Sequence, residues 1–247
     1  MSSVVIVIPA RIGSTRLSNK PMADLYGKPL IVRVFEMAKQ ANIAEIAIAC
    51  DHLDIKNVIE SVGGKAYMTG NFECGTDRIY DVYSRFYNNY EYIVNLQGDM
   101  INISTNSLKE IVNNTINSKS DIGTAVVKHS KNDEIINKSQ NVKAVLSVVD
   151  ENSNYHKALY FTRSVAPYNA ENYYIHCGIY VYNKNSIEKF VKQRPSYLEK
   201  IENLEQLRAL EMGMGIWATV INDEIISIDK PEDLEKARDF LKTNNLK

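Results

Sequence analysis

VVIVIPARIGSTRLSNKP, at residues 4–21, joins an apolar run to a basic loop. Residues 4–8 are all apolar and Pro9 ends the run, a pattern typical of a parallel strand covered on both faces. The loop that follows carries three cations and two hydroxyls, at Arg11, Ser14, Thr15, Arg16 and Lys20. Such donors suit a polyphosphate, because arginine forks and lysine ammonium groups neutralise its charge. The alternative is a solvated basic loop.

Apolar runs alternate with amphipathic segments through the first half of the chain. Strands are expected near residues 46–49, 66–68 and 92–96, and helices near 29–40, 51–62, 76–86 and after Ser104 or Thr105. Asp51 is expected to cap the second of these helices. This order predicts an α/β fold with a mostly parallel central sheet flanked by helices. Ligands of such sheets bind at the carboxyl ends of the strands. Three segments are therefore candidates for the ligand site: the residues from Pro9 onward, Cys50-Asp51, and the residues from Gln97 onward.

The second half has a mixed pattern. It predicts strands near residues 142–149, 157–161, 174–182 and 216–221, and helices near 183–192, 198–212 and from Pro231. We expect a single domain over residues 1–247, in which about 150–215 form a smaller mixed subregion that binds a sugar or forms a dimer surface.

Bulk composition excludes several classes of protein. The 247 residues carry 29 Lys plus Arg against 30 Asp plus Glu, a balance that favours neither nucleic acid nor an anionic membrane as a partner. The apolar runs are too short to span a membrane, and the first residues lack the pattern of a secretory signal. Three scattered cysteines suit free thiols in a reducing compartment, so we expect a cytoplasmic protein.

Two acidic residues are candidates for a metal site. Gln97-Gly98-Asp99 directly follows the apolar run at 92–96, and Asp229 ends ISID at 226–229, which is expected to be a short strand. Carboxylates at strand ends, beside a phosphate loop, are suited to Mg²⁺. Asp99 could instead be a turn or cap residue, and Asp229 could cap the helix from Pro231.

Taken together, these segments resemble the 3-deoxy-manno-octulosonate (Kdo) cytidylyltransferases. The resemblance runs nearly end to end and includes IPARIGSTRL at 8–17, GTDR at 75–78, NLQGD at 95–99, ALYFTR at 158–163, HCGIYVY at 176–182, PSYLEKIENLEQLRALEMG at 195–213 and IDKPEDLEKAR at 228–238. It implies a nucleotide-diphospho-sugar-transferase fold, usually in a homodimer. The implied reaction is CTP plus Kdo giving CMP-Kdo and pyrophosphate, for lipopolysaccharide synthesis.

The resemblance also implies roles for individual residues. Catalysis falls to Arg11, Lys20, Asp99 and Asp229, of which Asp99 and Asp229 hold Mg²⁺. The nucleotide site comprises Pro9, Ala10, Arg11, Ser14, Arg16, Lys20, Cys74, Gly75, Thr76, Arg78, Gln97 and Asp99. The sugar acid is held by Arg163, His176, Tyr180, Glu205 and Gln206. Without the resemblance, His176 and Tyr180 would be expected on the core face of a strand, and Glu205 and Gln206 on the exposed face of a helix. Tyr182, Arg208 and Cys177 are expected to be structural.

Some positions depart from the family pattern. Met100-Ile101 replaces the usual Glu-Pro, Ser18-Asn19 replaces Pro-Gly, Cys74 replaces a serine and Lys230 replaces a threonine. Three other functions stay open. These are a cytidylyltransferase for sialic acid or an amino-substituted Kdo, a glycosyltransferase on the same fold, and an inactive nucleotide-binding protein. A glycosyltransferase would normally carry an Asp-x-Asp motif, which is missing after the run at 92–96.

Overall fold

The computed structural model describes residues 3–13, 17–72, 74–148 and 150–244. They belong to two compact units. The first comprises Met1–Leu108 with Glu224–Lys247, and the second comprises Lys109–Asp223. The expected mixed subregion lies within the second unit, and the assignment of the whole chain to one domain stays a prediction.

The first unit contains a parallel sheet. Its strands are β1 (Val4–Ala10), β4 (Glu45–Cys50), β5 (Lys65–Met68) and β6 (Tyr92–Asn95), in the order β5-β4-β1-β6, while β2 (Asp24–Leu25) and β3 (Lys28–Pro29) form a separate hairpin. Ala10 pairs with Cys50, and Val7 with Asn95. The carboxyl ends of β1, β4 and β6 therefore lie side by side. The apolar residues of β1 at positions 5–8 are fully buried, as the uninterrupted apolar run predicts.

Helices of the first unit follow its strands. They are α1 (Leu30–Ala41), α2 (Leu53–Ser61), α3 (Gly75–Phe86) and a C-terminal helix, Pro231–Thr243. Helix α1 begins after Pro29, whose fixed φ suits a helix start, and ends at Asn42 in the left-handed conformation. Its residues at positions 30–32, 34, 35, 38 and 41 are buried, so one apolar face covers the sheet. No helix among the described residues is long and apolar enough to cross a membrane.

The second unit contains a mixed sheet. Its strands are β7 (Ile122–Ser130), β8 (Lys143–Ser147), β9 (Tyr155–Thr162), β10 (Asn172–Asn183) and β11 (Ile216–Ile221). Strand β7 is parallel to β11 and antiparallel to β10, and β8 pairs with both β9 and β10. Helices α4 (Thr105–Ser118), α5 (Lys184–Val191), α6 (Tyr197–Glu202) and α7 (Gln206–Glu211) complete the elements described here. The α/β class, with its smaller mixed part, is confirmed.

Two expectations about local structure are wrong, and one strand was not expected. The helix expected at 198–212 is two helices, because Asn203 adopts a left-handed conformation (φ 53°) that ends α6. Strand β7 was not expected. Its Gly123 weakens the apolar pattern, and that glycine is required because a Cβ there would lie 1.7 Å from Oγ1 of Thr115 on α4. The expected ISID strand is a single bridge between Ser227 and Met100.

Candidate active site

A cleft of about 270 Å³ opens at the carboxyl ends of the first unit's strands. Its walls come from the ends of β1 and β6, the start of α3 and the segments around Lys20 and Asp229. They include Pro9, Ala10, Arg11, Lys20, Pro21, Phe72, Cys74, Gly75, Arg78, Gln97, Gly98, Asp99 and Asp229. Most of the predicted nucleotide and metal residues of this unit are thereby brought together. Ser14 and Arg16 lie outside the described residues.

Lys20 is held by a tight turn. Asn19 adopts a left-handed conformation (φ 55°), and Pro21 occupies the start of the 3-10 helix Lys20–Met22. Asparagine is one of the few residues that tolerate this conformation, so the turn survives without the family's usual Pro-Gly. The Lys20 ammonium donates to Oδ2 of Asp99 and, at 3.1 Å, to Oδ1 of Asp229. Only 14% of the Lys20 side chain is exposed, so the alternative of a solvated basic loop does not hold for this lysine.

Main-chain contacts bring the two carboxylates together. Asp99 follows β6, and its carbonyl accepts a hydrogen bond from the N–H of Ile228 at 3.3 Å. The bridge between Met100 and Ser227 aligns the same two segments. Met100 is buried, so the residue that replaces the family's Glu contributes to packing at this junction.

Asp229 does not cap the last helix. Lys230 occupies the N-cap position, and the Asp233 carboxylate accepts hydrogen bonds from the N–H groups of Asp229 and Lys230, both at 3.1 Å. The Asp229 carboxylate is thereby left to face Lys20. Its expected place at the end of a strand is wrong, but it shares the Lys20 ammonium with Asp99.

The donor set fits a divalent cation shared with a nucleotide. Two carboxylates already hold one positive group between them, the Lys20 ammonium. Mg²⁺ is usually bound by one or two carboxylates together with substrate phosphates and water. Within the described ranges, no cluster of three or more acidic, His or Cys side chains offers an all-protein site. The carboxyl pair therefore suits Mg²⁺ that arrives with phosphate oxygens.

Gly98 allows the turn after β6 to pass against β1. A Cβ at Gly98 would lie 2.6 Å from the carbonyl oxygen of Pro9, closer than real Cβ atoms approach.

Gln97, beside Gly98, is oriented by a chain of hydrogen bonds. Its Nε2 donates to Oδ1 of Asn95 at 3.2 Å, and Nδ2 of Asn95 donates to the Thr76 hydroxyl at 3.3 Å. Thr76 is fully buried and acts in this chain rather than in the cleft wall.

Asp51 orders another wall of the cleft. Its Oδ1 accepts the N–H of Ile12 at 2.9 Å, and its Oδ2 lies 3.4 Å from Nη2 of Arg78. The expectation that Asp51 caps α2 is wrong, because His52 caps it through Nδ1, which accepts the N–H of Asp54 at 3.2 Å. Asp51 instead fixes the start of the basic loop to the nearly buried Arg78 guanidinium. The sequence pointed to Cys50-Asp51 as one end of a strand where a ligand could bind, but it gave Asp51 no such role.

The first turn of α3 presents its amino end to the cleft. Cys74 is the N-cap, and its sulfur accepts the N–H of Asp77 at 3.4 Å. The thiol thus does what the family's serine would do, with a weaker acceptor. Cys74 and Gly75 both line the cleft, so the positive end of the helix dipole lies at a site suited to anions.

His176 lies in the second unit, on β10. Its Nε2 is 2.9 Å from the Thr124 hydroxyl, which also lies 2.7 Å from the carbonyl of Ile179. A hydroxyl has one hydrogen, so if Thr124 donates it to Ile179, Nε2 of His176 must be the donor to Thr124. Burial lowers the pKa of His176 to about 3. The ring is therefore neutral, and this tautomer leaves Nδ1 as an acceptor for a ligand hydroxyl.

Tyr180, Glu205 and Gln206 are also in the second unit. The Tyr180 ring lies 5.4 Å from the His176 ring, and burial, with the Glu205 carboxylate nearby, raises the pKa of Tyr180. Gln206 is 5% exposed, and among the described residues its Nε2 has no acceptor within hydrogen-bonding distance. An unsatisfied buried amide is costly, so this nitrogen is a candidate donor to a ligand.

Arg163 follows β9, and its contacts are with main chain. Nε donates to the carbonyl of Glu202 at 2.8 Å, Nη1 to that of Ser139 at 3.2 Å and Nη2 to that of Asn203 at 3.2 Å. All three nitrogen atoms of the guanidinium are therefore engaged within the protein. Its predicted contact with the sugar acid stays a prediction.

The neighbours expected to be structural do pack internally. Arg208 forms a two-point pair with Glu199, at 2.8 and 2.6 Å, and its guanidinium lies over the ring of Phe190. Tyr182 and Cys177 are buried, and burial raises the pKa of the Cys177 thiol to about 12.

Three cleft residues were not predicted as site residues, namely Gly98 within the Gln97-Gly98-Asp99 turn, Phe72 and Pro21. Phe72 and Pro21 line the cleft, yet apolar residues in loops carry no chemical signal of their own. The aromatic residue shortly before GTDR was the available signal for Phe72.

Comparison with known proteins accords with this geometry. A family model described as cytidylyltransferase matches residues 5–216. The 3-deoxy-manno-octulosonate cytidylyltransferase of Rickettsia bellii (strain OSU 85-389) is 42% identical over 246 residues, 98% of each chain. That of Rickettsia prowazekii (strain Madrid E) is 42% identical over 245 residues, 98% of this chain and 96% of the relative.

A solved structure of CMP:2-keto-3-deoxy-manno-octonic acid synthetase complexed with CTP superposes with a TM-score of 0.88 at 32% identity, covering 98% of this chain and all of the other. A UDP-glucose pyrophosphorylase shares the fold alone, with a TM-score of 0.70 at 16% identity over 99% of this chain and all of the other. This chain belongs to the cytidylyltransferase family, among the 3-deoxy-manno-octulosonate cytidylyltransferases.

Proposed function

We propose that this protein transfers CMP from CTP to Kdo, giving CMP-Kdo and pyrophosphate for lipopolysaccharide synthesis. The observation that carries the proposal is the arrangement of Lys20 between Asp99 and Asp229 at the edge of the cleft. This arrangement offers both the cation that a triphosphate needs and the carboxylates that a phosphate-bound metal needs. The names of relatives at 42% identity support the choice of substrates.

The chemistry requires little covalent participation by the protein. The anomeric hydroxyl of the sugar acid attacks the α-phosphorus of CTP, a new P–O bond forms and the bond to pyrophosphate breaks in line. Positioning and charge neutralisation carry such transfers. Lys20 and Arg11 neutralise the phosphates, with Arg16 as a further predicted partner. Asp99 and Asp229 would hold Mg²⁺, which when bound offsets negative charge on the phosphate oxygens.

The cytidine is bound along the other walls of the cleft. The main chain at Pro9 and Ala10 and the start of α3 at Gly75 offer N–H and carbonyl groups to the base. Arg78, held by Asp51 and by the Thr69 hydroxyl, presents a fixed guanidinium there. A rigid set of donors and acceptors favours one base over another because a mismatched base leaves buried groups unpaired.

The sugar acid is held by residues of the second unit. His176 accepts from a sugar hydroxyl through Nδ1, and Gln206 donates through the amide nitrogen that has no partner among the described residues. Tyr180 and Glu205 supply a hydroxyl and a carboxylate beside them. The resemblance also implies direct pairing of Arg163 with the substrate carboxylate, whereas all three nitrogen atoms of its guanidinium donate to main-chain carbonyls.

Magnesium dependence, a homodimer and a cytoplasmic location are further parts of the proposal. The relatives' names support Kdo over sialic acid or an amino-substituted Kdo. The experiment is an assay of pyrophosphate release with Mg²⁺, in which CTP is compared with the three other nucleoside triphosphates and Kdo with sialic acid. The proposal requires CTP and Kdo to be preferred. Equal use of sialic acid, or preference for another nucleotide, would overturn it.

A further inference from the structure

Lys143 of β8 is a fully buried lysine in the second unit. Its ammonium donates to three main-chain carbonyls, those of Lys138 at 3.2 Å, Asn141 at 2.8 Å and Arg163 at 2.7 Å. A lysine ammonium has three N–H donors, so this set of carbonyls satisfies all of them. Burial, and then the nearby Arg163, hold the pKa of Lys143 below its usual range. A buried charge is expensive, so its presence calls for a reason.

Arg163 holds the same loop from its other side. Its Nη1 donates to Ser139, within the loop that Lys143 binds through Lys138 and Asn141. Its Nε and Nη2 donate to the carbonyls of Glu202 and Asn203, at the end of α6. Carbonyls at the end of a helix lack partners within the helix and attract cations, so the guanidinium caps α6.

Glu202 completes the attachment of α6 to β9. Its Oε1 accepts the Thr162 hydroxyl at 2.7 Å, and its Oε2 accepts the N–H of Arg163 at 3.0 Å. The side chain and the main chain of Glu202 are thus both bound to the end of β9. The turn that follows, at Asn203, is fixed at its start by this double attachment.

Both segments held by the two cations adjoin the predicted sugar-acid residues. In the loop, the carbonyl of Val142 accepts the N–H of His176 at 2.8 Å. In the turn, Glu205 and Gln206 follow Asn203 by two and three residues. A shift of either segment would therefore displace side chains proposed to bind the sugar.

We infer that Lys143 and Arg163 are positioning residues for the sugar acid. They fix the loop at 138–142 and the turn at 202–206, and so set the places of His176, Glu205 and Gln206. This inference rests on the proposed function. It assigns Arg163 to act through the turn, instead of by contact with the substrate's carboxylate.

The first test is Lys143→Met, which keeps much of the side chain's length and removes the three donors. Because the cleft residues belong to the other unit, KM for Kdo should rise by about tenfold or more while KM for CTP changes by less than about twofold. Ile187→Ala, buried on α5 of the same unit, is the control. It should lower Tm without changing KM for Kdo. An unchanged KM for Kdo in Lys143→Met would overturn the inference.

The second test is Arg163→Gln, assayed with Kdo and with its carboxamide. If Arg163 only positions other residues, replacing the substrate's carboxylate reduces kcat/KM by the same factor in wild type and variant, because the two effects are independent. If Arg163 contacts the carboxylate, the carboxamide loses little further activity in Arg163→Gln. That result would overturn the positioning role. If Lys143→Met does not fold, the comparison in Arg163→Gln alone tests the positioning role.

Hydrogen exchange separates this inference from the proposed function. Without Lys143 or Arg163, amides in the loop at 138–142 and in the turn at 202–206 should exchange faster, whatever the substrate is. Absence of Kdo turnover by the wild type would refute the proposed function alone. Unchanged exchange of both segments in a folded variant would refute the positioning role.

Discussion

Gly98→Ala tests how closely the turn after β6 must approach β1. The added Cβ would lie 2.6 Å from the carbonyl oxygen of Pro9, whereas real Cβ contacts begin near 3.0 Å. The turn or Pro9 must therefore move by about 0.4 Å or more, an overpacking that typically costs about 1–3 kcal/mol. For a chain of this length, Tm should fall by roughly 2–12 °C.

The same shift should affect activity, because Pro9 and Asp99 flank Gly98 in the cleft wall. A displacement of this size should lower kcat/KM for CTP on the order of tenfold. The assays are a thermal melt without nucleotide and pyrophosphate release with CTP titrated. Gly70→Ala is the control, since a Cβ there meets nothing within 4 Å. Normal Tm and normal kcat/KM in Gly98→Ala would refute the reasoning.

Three further predictions concern the charged and titratable groups. Asp99→Asn and Asp229→Asn should each lower turnover by about a hundredfold or more in pyrophosphate release, with the far-UV spectrum unchanged; near-normal turnover in both would remove the metal assignment. Lys20→Ala should weaken CTP binding by about tenfold in calorimetry and also lower Tm without nucleotide, because two carboxylates then face each other unneutralised; a tighter CTP complex would contradict this. Burial lowers the pKa of His176 to about 3, below its value of about 6.5 in the unfolded chain. The unfolded chain therefore binds a proton here more readily than the folded protein does. As a result, His176 should lower the free energy of unfolding as pH falls below about 6.5. Urea midpoints at pH 7.5 and 5 should drop more for wild type than for His176→Gln, and equal drops would contradict the buried neutral ring.

Local patterns were enough to predict the first unit's sheet. The apolar run at 4–8 and the alternation of strands with helices follow from which faces must be buried. The cleft followed because parallel strands end at one edge. Nine of the ten nucleotide-site predictions that fall on described residues line it, and only Thr76 does not.

Features that depend on distant partners could not be predicted. Asp51 looks like a helix cap in sequence, but its oxygens are taken by Ile12 and Arg78, which lie 39 and 27 residues away. Lys20 looks like a solvated loop residue until Asp99 and Asp229 are placed beside it. In both cases, the sequence identifies a charged side chain but does not show which distant residues it contacts in the folded protein.

The break between α6 and α7 and the glycine-containing strand β7 were also not predicted from the sequence. The apolar periodicity at 198–212 continues across Asn203, so only the left-handed conformation of one residue marks the break. Gly123 hides β7 because its role is to admit the Thr115 side chain, which belongs to another element. Patterns of hydropathy do not record such contacts between elements.

The central claim is transfer of CMP to Kdo, and phosphorus NMR of the completed reaction tests it most directly. The wild-type protein, incubated with CTP, Kdo and Mg²⁺, should give pyrophosphate and one phosphodiester in equal molar amounts, because the α-phosphorus is attacked and the β- and γ-phosphates leave together. The pyrophosphate signal should therefore have twice the area of the phosphodiester signal. The Asp99→Asn protein at the same concentration should give little of either. Formation of CDP, release of single phosphate, or CTP left intact by the wild type would contradict the account.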